Sequence, residues 1–308
     1  MKCIVTGGAG FIGSHLTDLL VSQGCEVVVI DSMAAGRMEN LKNVDGKITF
    51  VKCDLLDDGW QEQFKGADRV YHIAADPDVR GSARKSREVY ENNVTATVRV
   101  LEAMKEYDVK EIVFTSTSTV YGEDSVIPTP ETYSPMVPIS IYAASKLACE
   151  AMISAYAATY GWHAWVYRFA NIIGARSTHG VIYDFVQKLR ANPKELEILG
   201  DGTQAKSYLS VGECVNAVVF APTISHDTFN FFNIGSEDWV TVKRIAELVV
   251  EEMGLSGVSF KFTGGDRGWV GDVPKMQLSV DKLKSFGWNP KSSSEDAVRA
   301  AIRATLEE

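Results

Sequence analysis

Tyr142 and Lys146 are the residues whose types and spacing most directly suggest proton-transfer chemistry in this sequence. They stand four residues apart in the segment YAASK, so on a helix the phenol and the ammonium would share one face. A neighbouring ammonium favours the phenolate, and we expect Lys146 to lower the pKa of Tyr142 from its free value of about 10. Such a tyrosine can take a proton from a hydroxyl while a hydride leaves the same carbon. Taken alone, the pattern is also typical of an exposed helical pair.

A row of hydroxyl groups, from Ser116 to Thr119, comes before this pair in the chain. It follows an apolar run at residues 112–115 that is typical of a buried strand. Ligands of open parallel sheets bind at the carboxyl ends of the strands. These hydroxyls could therefore hydrogen-bond a ligand oxygen without adding charge, although a polar end to a strand is the alternative interpretation.

A glycine-rich segment, TGGAGFIG, spans Thr6 to Gly13 between the first predicted strand and the first predicted helix. Gly7, Gly10 and Gly13 would permit a tight turn, bring backbone amides close to a pyrophosphate and let the helix pack closely on the strand. The positive end of the helix would then face the phosphates. Asp31 ends the second predicted strand eighteen residues after Gly13, which is the context that a dinucleotide site requires.

Asp31 also bears on the choice of dinucleotide. A carboxylate in this place accepts hydrogen bonds from ribose hydroxyls and repels a 2′-phosphate, so NAD is favoured over NADP. Arg37 is close in sequence, but nothing places it beside the ribose. Asp54 and Leu55 follow the third predicted strand, where we expect the adenine edge; a surface loop is the alternative for Asp54.

The segments that must position these residues alternate between short apolar runs and amphipathic stretches. The predicted strands are 3–6, 27–30, 48–51, 70–73, 112–115 and 163–169, and the predicted helices are 11–22, 61–65, 93–106, 141–160, 242–253 and 293–306. This alternation predicts an α/β fold, a Rossmann-type doubly wound parallel sheet covered on both faces. We predict a dinucleotide-binding Rossmann domain at 1–170, to which part of 205–240 returns. A smaller C-terminal α/β domain for substrate binding is expected at 171–308.

Composition excludes several classes of protein. The 308 residues carry a net charge of −9 and are 45% hydrophobic, as in an ordinary globular protein. No apolar run approaches the ~20 residues that cross a bilayer, and an acidic chain without Lys/Arg clusters is a poor nucleic-acid partner. Five scattered cysteines and a short N-terminal apolar stretch predict free thiols and a cytoplasmic location. The histidines have no ligand spacing, so no metal is expected.

The motifs together resemble those of the extended short-chain dehydrogenase/reductase superfamily. They are the glycine segment, Asp31, the string STSTVYG from Ser116, and Tyr142-x-x-x-Lys146. Within that superfamily the chain most resembles nucleotide-sugar epimerases, especially UDP-glucose (galactose) 4-epimerases of archaeal type. Further segments are similar to epimerase motifs: DSMAAGR at 31–37, NNV at 92–94, RFAN at 168–171, HGVIYDF at 179–185 and LGDGTQ at 199–204. The resemblance runs essentially from end to end.

The resemblance implies a role for each site residue. Thr117 would hydrogen-bond the reacting sugar oxygen, Tyr142 would be the base, and Lys146 would hold the nicotinamide ribose and depress the tyrosine pKa. The cofactor, NAD, would be bound by Gly7, Gly10, Phe11, Ile12, Gly13, Asp31, Ser32, Gly36, Asp54, Leu55, Ala74, Ala75, Asn93, Tyr142 and Lys146. The asparagine at 93 would also brace the active-site helix. The substrate would be bound by Ser116, Thr117, Asn171, Gly180, Val181, Lys206, Arg267, Asp272 and Met276.

The string after Ser116 also favours one reaction over others in this superfamily. In 4,6-dehydratases the corresponding string resembles STDEVYG, and in UDP-glucuronate decarboxylases it resembles STSEVYG. This chain has Ser118 and Thr119 there and so has no carboxylate at either position. Eliminating water needs a general acid and base, so we expect epimerisation at carbon 4, with NAD tightly bound and not consumed. The alternatives are a UDP-N-acetylhexosamine or UDP-uronate 4-epimerase, a dehydratase or reductase, and a dinucleotide-binding regulator without catalysis.

Three positions depart from the epimerase pattern. Thr117 stands where many epimerases have serine, Lys206 replaces the arginine of an R-D-Y segment, and the R-x-G-D motif becomes WVGD, with Arg267 two places early. Arg267 is the favoured cation for the diphosphate, with Lys206 as the alternative. Met276 falls near the residue that limits the C2 substituent, and a flexible thioether leaves hexose and N-acetylhexosamine both open. The nucleotide base is also left open.

The two long helices predicted at 93–106 and 141–160 bear on assembly. Their apolar faces are broader than packing on one sheet requires. In relatives the matching helices form a dimeric four-helix bundle, so we expect a homodimer.

Overall fold

The computed structural model of the protein describes residues 1–123, 126–269 and 271–308. The strands are β1 (Lys2–Thr6), β2 (Glu26–Asp31), β3 (Ile48–Lys52), β4 (Arg69–His72), β5 (Glu111–Thr117), β6 (His163–Phe169), β7 (Asn171–Ile173), β8 (Glu195–Ile198), β9 (Ala205–Lys206), β10 (Tyr208–Ser210), β11 (Phe229–Ile234), β12 (Val240–Thr241), β13 (Ser259–Phe262) and β14 (Lys275–Met276).

The helices are α1 (Phe11–Ser22), α2 (Ser86–Tyr90), α3 (Ala96–Glu106), α4 (Ile141–Tyr160), α5 (Val181–Ala191), α6 (Val211–Phe220), α7 (Val242–Glu252), α8 (Asp281–Ser285) and α9 (Ser294–Glu307). Short 3₁₀ segments occupy Met38–Val44, Gln61–Phe64, Ser118–Tyr121 and Ala221–Thr223. A π-helical turn at Glu91–Thr95 joins α2 to α3. The helix predicted at 93–106 therefore begins earlier than expected and changes its winding.

The central sheet has seven strands in the order β3-β2-β1-β4-β5-β6-β11. The pairs β1–β2, β2–β3, β1–β4 and β4–β5 are parallel. The strand order reverses at β1, which lies between β2 and β4, and this is the topological switch point where doubly wound sheets bind ligands. The predicted Rossmann-type α/β fold is confirmed.

Complete burial explains why the first strands are apolar without interruption. In β1, Cys3, Ile4 and Val5 are all fully buried, as expected for a parallel sheet with helices on both faces. One core cluster joins this sheet to the helices, with Ile4 from β1 and Ile153 from α4 among its members. The sheet therefore holds α4 against the strands whose carboxyl ends carry the predicted site.

The chain divides into two compact units. The first contains 1–120, 136–168 and 215–232, and the second contains 121–135, 169–214 and 233–308. The dinucleotide-binding domain predicted at 1–170, with part of 205–240 returning to it, stays a prediction. The same holds for the substrate-binding domain predicted at 171–308. The sequence did not predict that 121–135, which begins with the last two residues of the STSTVYG string, groups with the second unit.

The second unit has small sheets and a helical core of its own. Its strands pair as β7–β10, β8–β13 and β12-β9-β14, while α5, α7 and α9 pack on one another. Phe185, Ile198, Leu248 and Ile302 are among the buried residues of this core. The unit therefore presents short strands and connecting loops on a separate hydrophobic core.

The described residues form neither a membrane-spanning helix nor a cluster of metal ligands. None of the helices they form is long and apolar enough to span a membrane. Nor do they bring three or more His, Cys, Asp or Glu side chains together where a metal ion could be held. The five cysteines are all free thiols.

Candidate active site

The glycine-rich segment forms the turn from β1 into α1. Gly7 has a φ of +71°, and a Cβ there would lie 2.8 Å from the backbone of Ala74. A Cβ on Gly13 would lie 2.1 Å from the carbonyl oxygen of Gly7, so neither position admits a side chain. Helix α1 starts directly after Gly10, and no side chain caps its first amides. Uncapped amides at a helix N-terminus suit a phosphate, so the cradle fits a dinucleotide pyrophosphate.

Asp31 is held at the end of β2, beside the cradle. Its Oδ2 accepts the amide of Ala9 at 2.9 Å and its Oδ1 accepts the amide of Met33 at 2.8 Å. A carboxylate has about four acceptor positions, which leaves capacity for ribose hydroxyls. A Cβ on Gly36 would lie 2.6 Å from the Asp31 Oδ1, so only glycine lets the following loop close on the carboxylate. Ser32 is exposed beside it.

The other residues expected at the cofactor lie in the same unit, at the start of α1 or after β3 and β4: Phe11, Ile12, Asp54, Leu55, Ala74 and Ala75. The amide of Ala74 donates to the carbonyl of Thr6 at 3.1 Å, which ties the chain after β4 to the cradle. The Asp54 Oδ1 accepts the amide of Leu56 at 2.9 Å and so shapes its own turn. These residues are placed at the carboxyl edge of the sheet on both sides of β1.

Helix α4 carries the Tyr–Lys pair and has the predicted limits, 141–160. Its first turn is capped by Ser140, whose side chain accepts the amide of Ala143 at 3.1 Å. Gly161 ends the helix in the left-handed conformation, with φ +69°, as is common at a helix C-terminus. Tyr142 therefore lies in the first turn and Lys146 one turn further on.

Thr117 ends β5, and its Oγ1 is 3.0 Å from the Thr119 Oγ1. Burial raises the pKa of Tyr142 to about 12; the hydroxyl of Thr117, which can hydrogen-bond the phenol, lowers this pKa, and Cys149 and Asp76 raise it. The net shift in the polypeptide itself is therefore upward, opposite to the direction expected from Lys146, and Lys146 is not among the groups that cause it. Desolvation of the phenolate outweighs the stabilisation that the neighbouring side chains provide.

Lys146 is 3% exposed, with its Nζ 4.4 Å from the centre of the Phe114 ring. Burial lowers the pKa of Lys146 to about 8, while Cys149 and Glu150 raise it. The pKa of His72 is lowered to about 3, mainly by burial and then by the charge of Lys146. His72 is therefore neutral near pH 7, and it adds no second positive charge beside the lysine.

Asn93 braces the first turn of α4 from the π-helical turn. Its Oδ1 accepts the amide of Asp76 at 2.7 Å, and its Nδ2 donates to the Asp76 carbonyl at 3.3 Å and to the Ser145 Oγ at 2.9 Å. Ser145 in turn donates to the carbonyl of Tyr142 at 2.7 Å. Asn93 is 1% exposed, so its amide serves the chain itself, which supports the brace and not the contact with cofactor.

Ser116 has a different environment from the one that the prediction gave it. Its hydroxyl donates to the Glu150 Oε1 at 2.5 Å, and Glu150 forms a buried ion pair with Arg168 at 2.7 Å. Neighbouring residues of a strand point to opposite faces, so Ser116 points away from the face of Thr117. The Ser116 hydroxyl is therefore buried and bonded to Glu150, which disagrees with its predicted role as a substrate ligand.

In the second unit both predicted diphosphate cations are paired with carboxylates. The Lys206 Nζ lies 2.5 Å from the Asp272 Oδ1, and an Arg267 Nη lies 2.7 Å from the Glu123 Oε1. The Lys206 Nζ is also 5.4 Å from the centre of the Trp269 ring. The first pair is largely buried and the second is about one third exposed, so the charge of each cation is already partly balanced.

The remaining predicted substrate residues also belong to the second unit. Asn171 begins β7 and donates from its amide to the Ser207 carbonyl at 3.1 Å. Gly180, with φ +96°, caps α5, and Val181 is the first residue of that helix. Met276 is paired with Lys206 in the register of β14 and β9.

Sequence reasoning did not single out Ser145, Glu150 or Asp76 as parts of this site. Ser145 is three residues after Tyr142 and Glu150 is four after Lys146, so helical spacing could have placed both near the pair. Asp76 lies in a loop, and only its bonds to Asn93 bring it to the helix. No local pattern indicates that position.

The fold and the site define a class: a doubly wound enzyme with a dinucleotide cradle at its switch point and, beside it, a half-buried tyrosine paired with a buried lysine. The model of the NAD-dependent epimerase/dehydratase family matches residues 3–235. A putative UDP-glucose 4-epimerase of Methanocaldococcus jannaschii is 32% identical, over 97% of this chain and 96% of that relative.

Solved structures agree with the family match. A UDP-galactose 4-epimerase superposes with a TM-score of 0.90 at 42% identity, over 100% of this chain and 99% of that one. A UDP-glucose 4-epimerase from Thermotoga maritima, solved with UDP-glucose, has a TM-score of 0.89 at 32% identity, with the same coverage. The chain therefore belongs to the NAD-dependent epimerase/dehydratase family of extended short-chain dehydrogenases/reductases, and its cofactor is NAD.

Proposed function

We propose that this protein is a UDP-hexose 4-epimerase that interconverts UDP-galactose and UDP-glucose. The observation that carries the proposal is that the Thr117 hydroxyl acts on the Tyr142 phenol, while Ser118 and Thr119, the next two positions, have no carboxylate. A phenol and a hydroxyl can exchange a proton with a sugar oxygen. They offer no acid and base pair for removing water at neighbouring carbons.

Each catalytic residue has one task in this proposal. Tyr142 takes the proton from the O4 hydroxyl of the sugar and later returns it, while Thr117 holds the phenol and orients that oxygen. Lys146, buried on the same face of α4, supplies a positive charge and binds the nicotinamide ribose. NAD supplies the hydride acceptor and donor, and the positive charge of its oxidised ring favours the phenolate.

The sugar passes through a 4-keto form and turns about its diphosphate link before it is reduced on the opposite face. The reaction has no net oxidation, so the same NAD can serve every turnover and has no need to leave. We propose that it stays tightly bound, held by the Gly7–Gly13 cradle and by Asp31. The −9 net charge of the chain does not prevent this binding, because glycine amides and a helix end provide the local positive potential.

Substrate binding is assigned to the second unit. Lys206 and Arg267 are the cations proposed for the diphosphate. Their partners, Asp272 and Glu123, keep each cation oriented and reduce its attraction for an anion. Met276 shares the register of Lys206 and is proposed to lie near carbon 2. Its flexible side chain leaves a UDP-N-acetylhexosamine as the second candidate substrate.

We also propose that the enzyme is a cytoplasmic homodimer built on α3 and α4. Ile141 and Tyr160, at the two ends of α4, keep 41% of their surface exposed in the single chain. A second copy of the helix pair would cover them. Light scattering on the purified protein tests this part: a mass of two chains supports it, and a mass of one chain contradicts it.

The test of the reaction is to mix the purified protein with UDP-galactose, with and without added NAD. Formation of UDP-glucose without added NAD supports the proposal, and UDP-glucuronate and UDP-N-acetylglucosamine measure its selectivity. A 4-keto-6-deoxy product or a requirement for NADPH would overturn it. Tyr142→Phe should abolish turnover and keep NAD bound, whereas Tyr160→Phe on the same helix should remain active.

A further inference from the structure

The loop after β4 carries an ion pair to which the proposed function assigns no catalytic, cofactor-binding or substrate-binding role. The Lys85 Nζ lies 3.0 Å from the Asp76 Oδ2 and 3.5 Å from the Asp78 Oδ2. The two acids differ in environment, because the side chain of Asp76 is 13% exposed and that of Asp78 is 47% exposed. Lys85 therefore joins one largely buried and one solvated carboxylate.

Asp76 is fixed relative to the catalytic helix by its backbone. Both its amide and its carbonyl are bonded to the side chain of Asn93, at 2.7 and 3.3 Å. Asn93 also donates to Ser145, and Ser145 donates to the carbonyl of Tyr142. Two side chains thus connect the backbone of Asp76 to the residue that carries the phenol. The carboxylate itself is held by Lys85 and by the amide of Asp78, which donates to its Oδ1 at 3.0 Å.

The charges around the Tyr142 phenol come from a small set of groups. Thr117, from β5, contributes a neutral hydroxyl that favours ionisation of the phenol, and Asp76, from the loop, contributes a negative charge that opposes it. On α4 itself, Cys149 has its pKa raised by burial and remains a neutral thiol, and Lys146 follows one turn later. Among these groups Asp76 supplies the negative charge that opposes ionisation of the phenol, and Lys85 is the cation that offsets Asp76.

We propose that Asp76, held by Asn93 and neutralised by Lys85, is a positioning residue that sets the ionisation of Tyr142. The inference rests on the proposed function in that it takes Tyr142 as the base. An unbalanced Asp76 would keep the phenol protonated and slow the reaction at neutral pH. The ion pair with Lys85 keeps the phenolate accessible, and the Asn93 brace prevents Asp76 from moving away from it.

The sign of each substitution follows from this charge balance. Asp76→Asn removes a negative charge, so the phenol ionises at lower pH and the acid limb of the kcat profile shifts to lower pH. Lys85→Gln leaves the charge of Asp76 without its partner and shifts the same limb to higher pH. Each shift should be about half a pH unit, as expected for one charge acting across partly solvated protein. The double variant should return close to the parent profile.

The experiment compares kcat for UDP-galactose between pH 5.5 and 9 in the NAD-loaded parent, D76N, K85Q, D76N/K85Q and D78N. The matched control is Asp78→Asn, because Asp78 also contacts Lys85 but is 47% exposed and is not among the groups that shift the pKa of Tyr142. It should leave the profile in place. Asp76→Asn keeps both backbone bonds to Asn93, so an equal urea midpoint for D76N and the parent would verify that the brace is intact.

A second readout does not depend on turnover. The ultraviolet difference between each NAD-loaded protein and its Tyr142→Phe counterpart reports the phenolate, and its midpoint should move with the same signs. Opposite movements for D76N and K85Q support the inference. Profiles and midpoints that stay unchanged in both variants overturn it, even if the protein is an active epimerase. If the phenolate midpoint shifts as expected in a protein that has no epimerase activity, the proposed function is overturned. The inference that Asp76 and Lys85 control the ionisation of Tyr142 would then still stand.

Discussion

The carbonyl oxygen of Gly7 occupies the space that a side chain on Gly13 would need, because a Cβ there would lie only 2.1 Å away. The neighbouring atom is rigid backbone, which cannot move aside as a flexible side chain could. The first turn of α1 and the end of β1 therefore approach each other only when both residues are glycine. This contact determines the shape of the proposed pyrophosphate site.

Gly13→Ala should consequently displace the backbone of the cradle and weaken the binding of NAD. We expect the purified variant to lose most of the nucleotide absorbance that accompanies the parent protein and to lose activity unless NAD is added in excess. Gly212→Ala in α6 is the matched control, since a Cβ there meets no atom within 4 Å. A G13A protein that retains its full complement of NAD would contradict the assignment.

The ion pair between Glu150 and Arg168 lies in the interior beneath the catalytic helix, with side chains only 5% and 4% exposed. Arg168→Met would leave the Glu150 charge without its partner, and breaking a buried pair typically costs about 3–5 kcal/mol. Urea unfolding should show a loss of that order. Glu150→Gln combined with Arg168→Met should recover part of it, because no buried charge remains.

Arg303→Met serves as the comparison for this loss. Arg303 pairs with Glu252 at 2.8 Å but is 64% exposed, and solvated pairs contribute little to stability. We expect no measurable change in its urea midpoint. Similar losses for Arg168→Met and Arg303→Met would show that burial of the Glu150 pair has no special energetic weight.

His72 predicts how stability depends on acid pH. Its Nδ1 is 2.7 Å from the Thr6 hydroxyl and its Nε2 is 2.9 Å from the Thr97 hydroxyl, and its pKa falls from 6.5 to about 3 mainly because it is buried. Between these values the unfolded chain binds a proton that the folded protein does not. The stabilisation is thus complete above pH 6.5 and is lost as the pH falls toward 3.

At pH 5 this loss should reach about 2 kcal/mol, since each pKa unit is worth about 1.4 kcal/mol. Urea unfolding of the parent and of His72→Gln at pH 7 and pH 5 measures it. The variant is less stable at pH 7 but should lose less stability between the two pH values. His179→Gln, an exposed histidine, should behave like the parent. Equal losses in H72Q and the parent would contradict the prediction.

Glu123 is expected to weaken substrate binding. It holds Arg267 at 2.7 Å, so a diphosphate that uses Arg267 must compete with this carboxylate. Glu123→Gln should lower KM for UDP-galactose severalfold and leave kcat nearly unchanged, because the interaction affects bound substrate and transition state alike. Asp266→Asn is the control, since its carboxylate is 3.4 Å from Arg267 and 74% exposed. An unchanged KM in E123Q would favour Lys206 as the diphosphate cation.

Local signals account for the parts of the fold and site that could be predicted. The limits of α1 and α4 match their predicted ranges, because glycines and a serine cap act within a few residues of the helix ends. The hydrophobic runs predicted the buried strands and, through their alternation with helices, a doubly wound parallel sheet; the order of its strands was not predicted. The π-helical turn at Glu91–Thr95 was missed, because the apolar period changes there by a single residue.

The sequence by itself determined the glycine cradle, the acid at the end of β2 and the face shared by Tyr142 and Lys146, since each depends on spacing along one element. Only the tertiary structure decided how these groups are charged and held. Burial raises the pKa of Tyr142 although Lys146 is a turn away, and Ser116 is bonded to Glu150. Desolvation and long-range hydrogen bonds depend on atoms that come together only in the folded chain, so no local pattern specifies them.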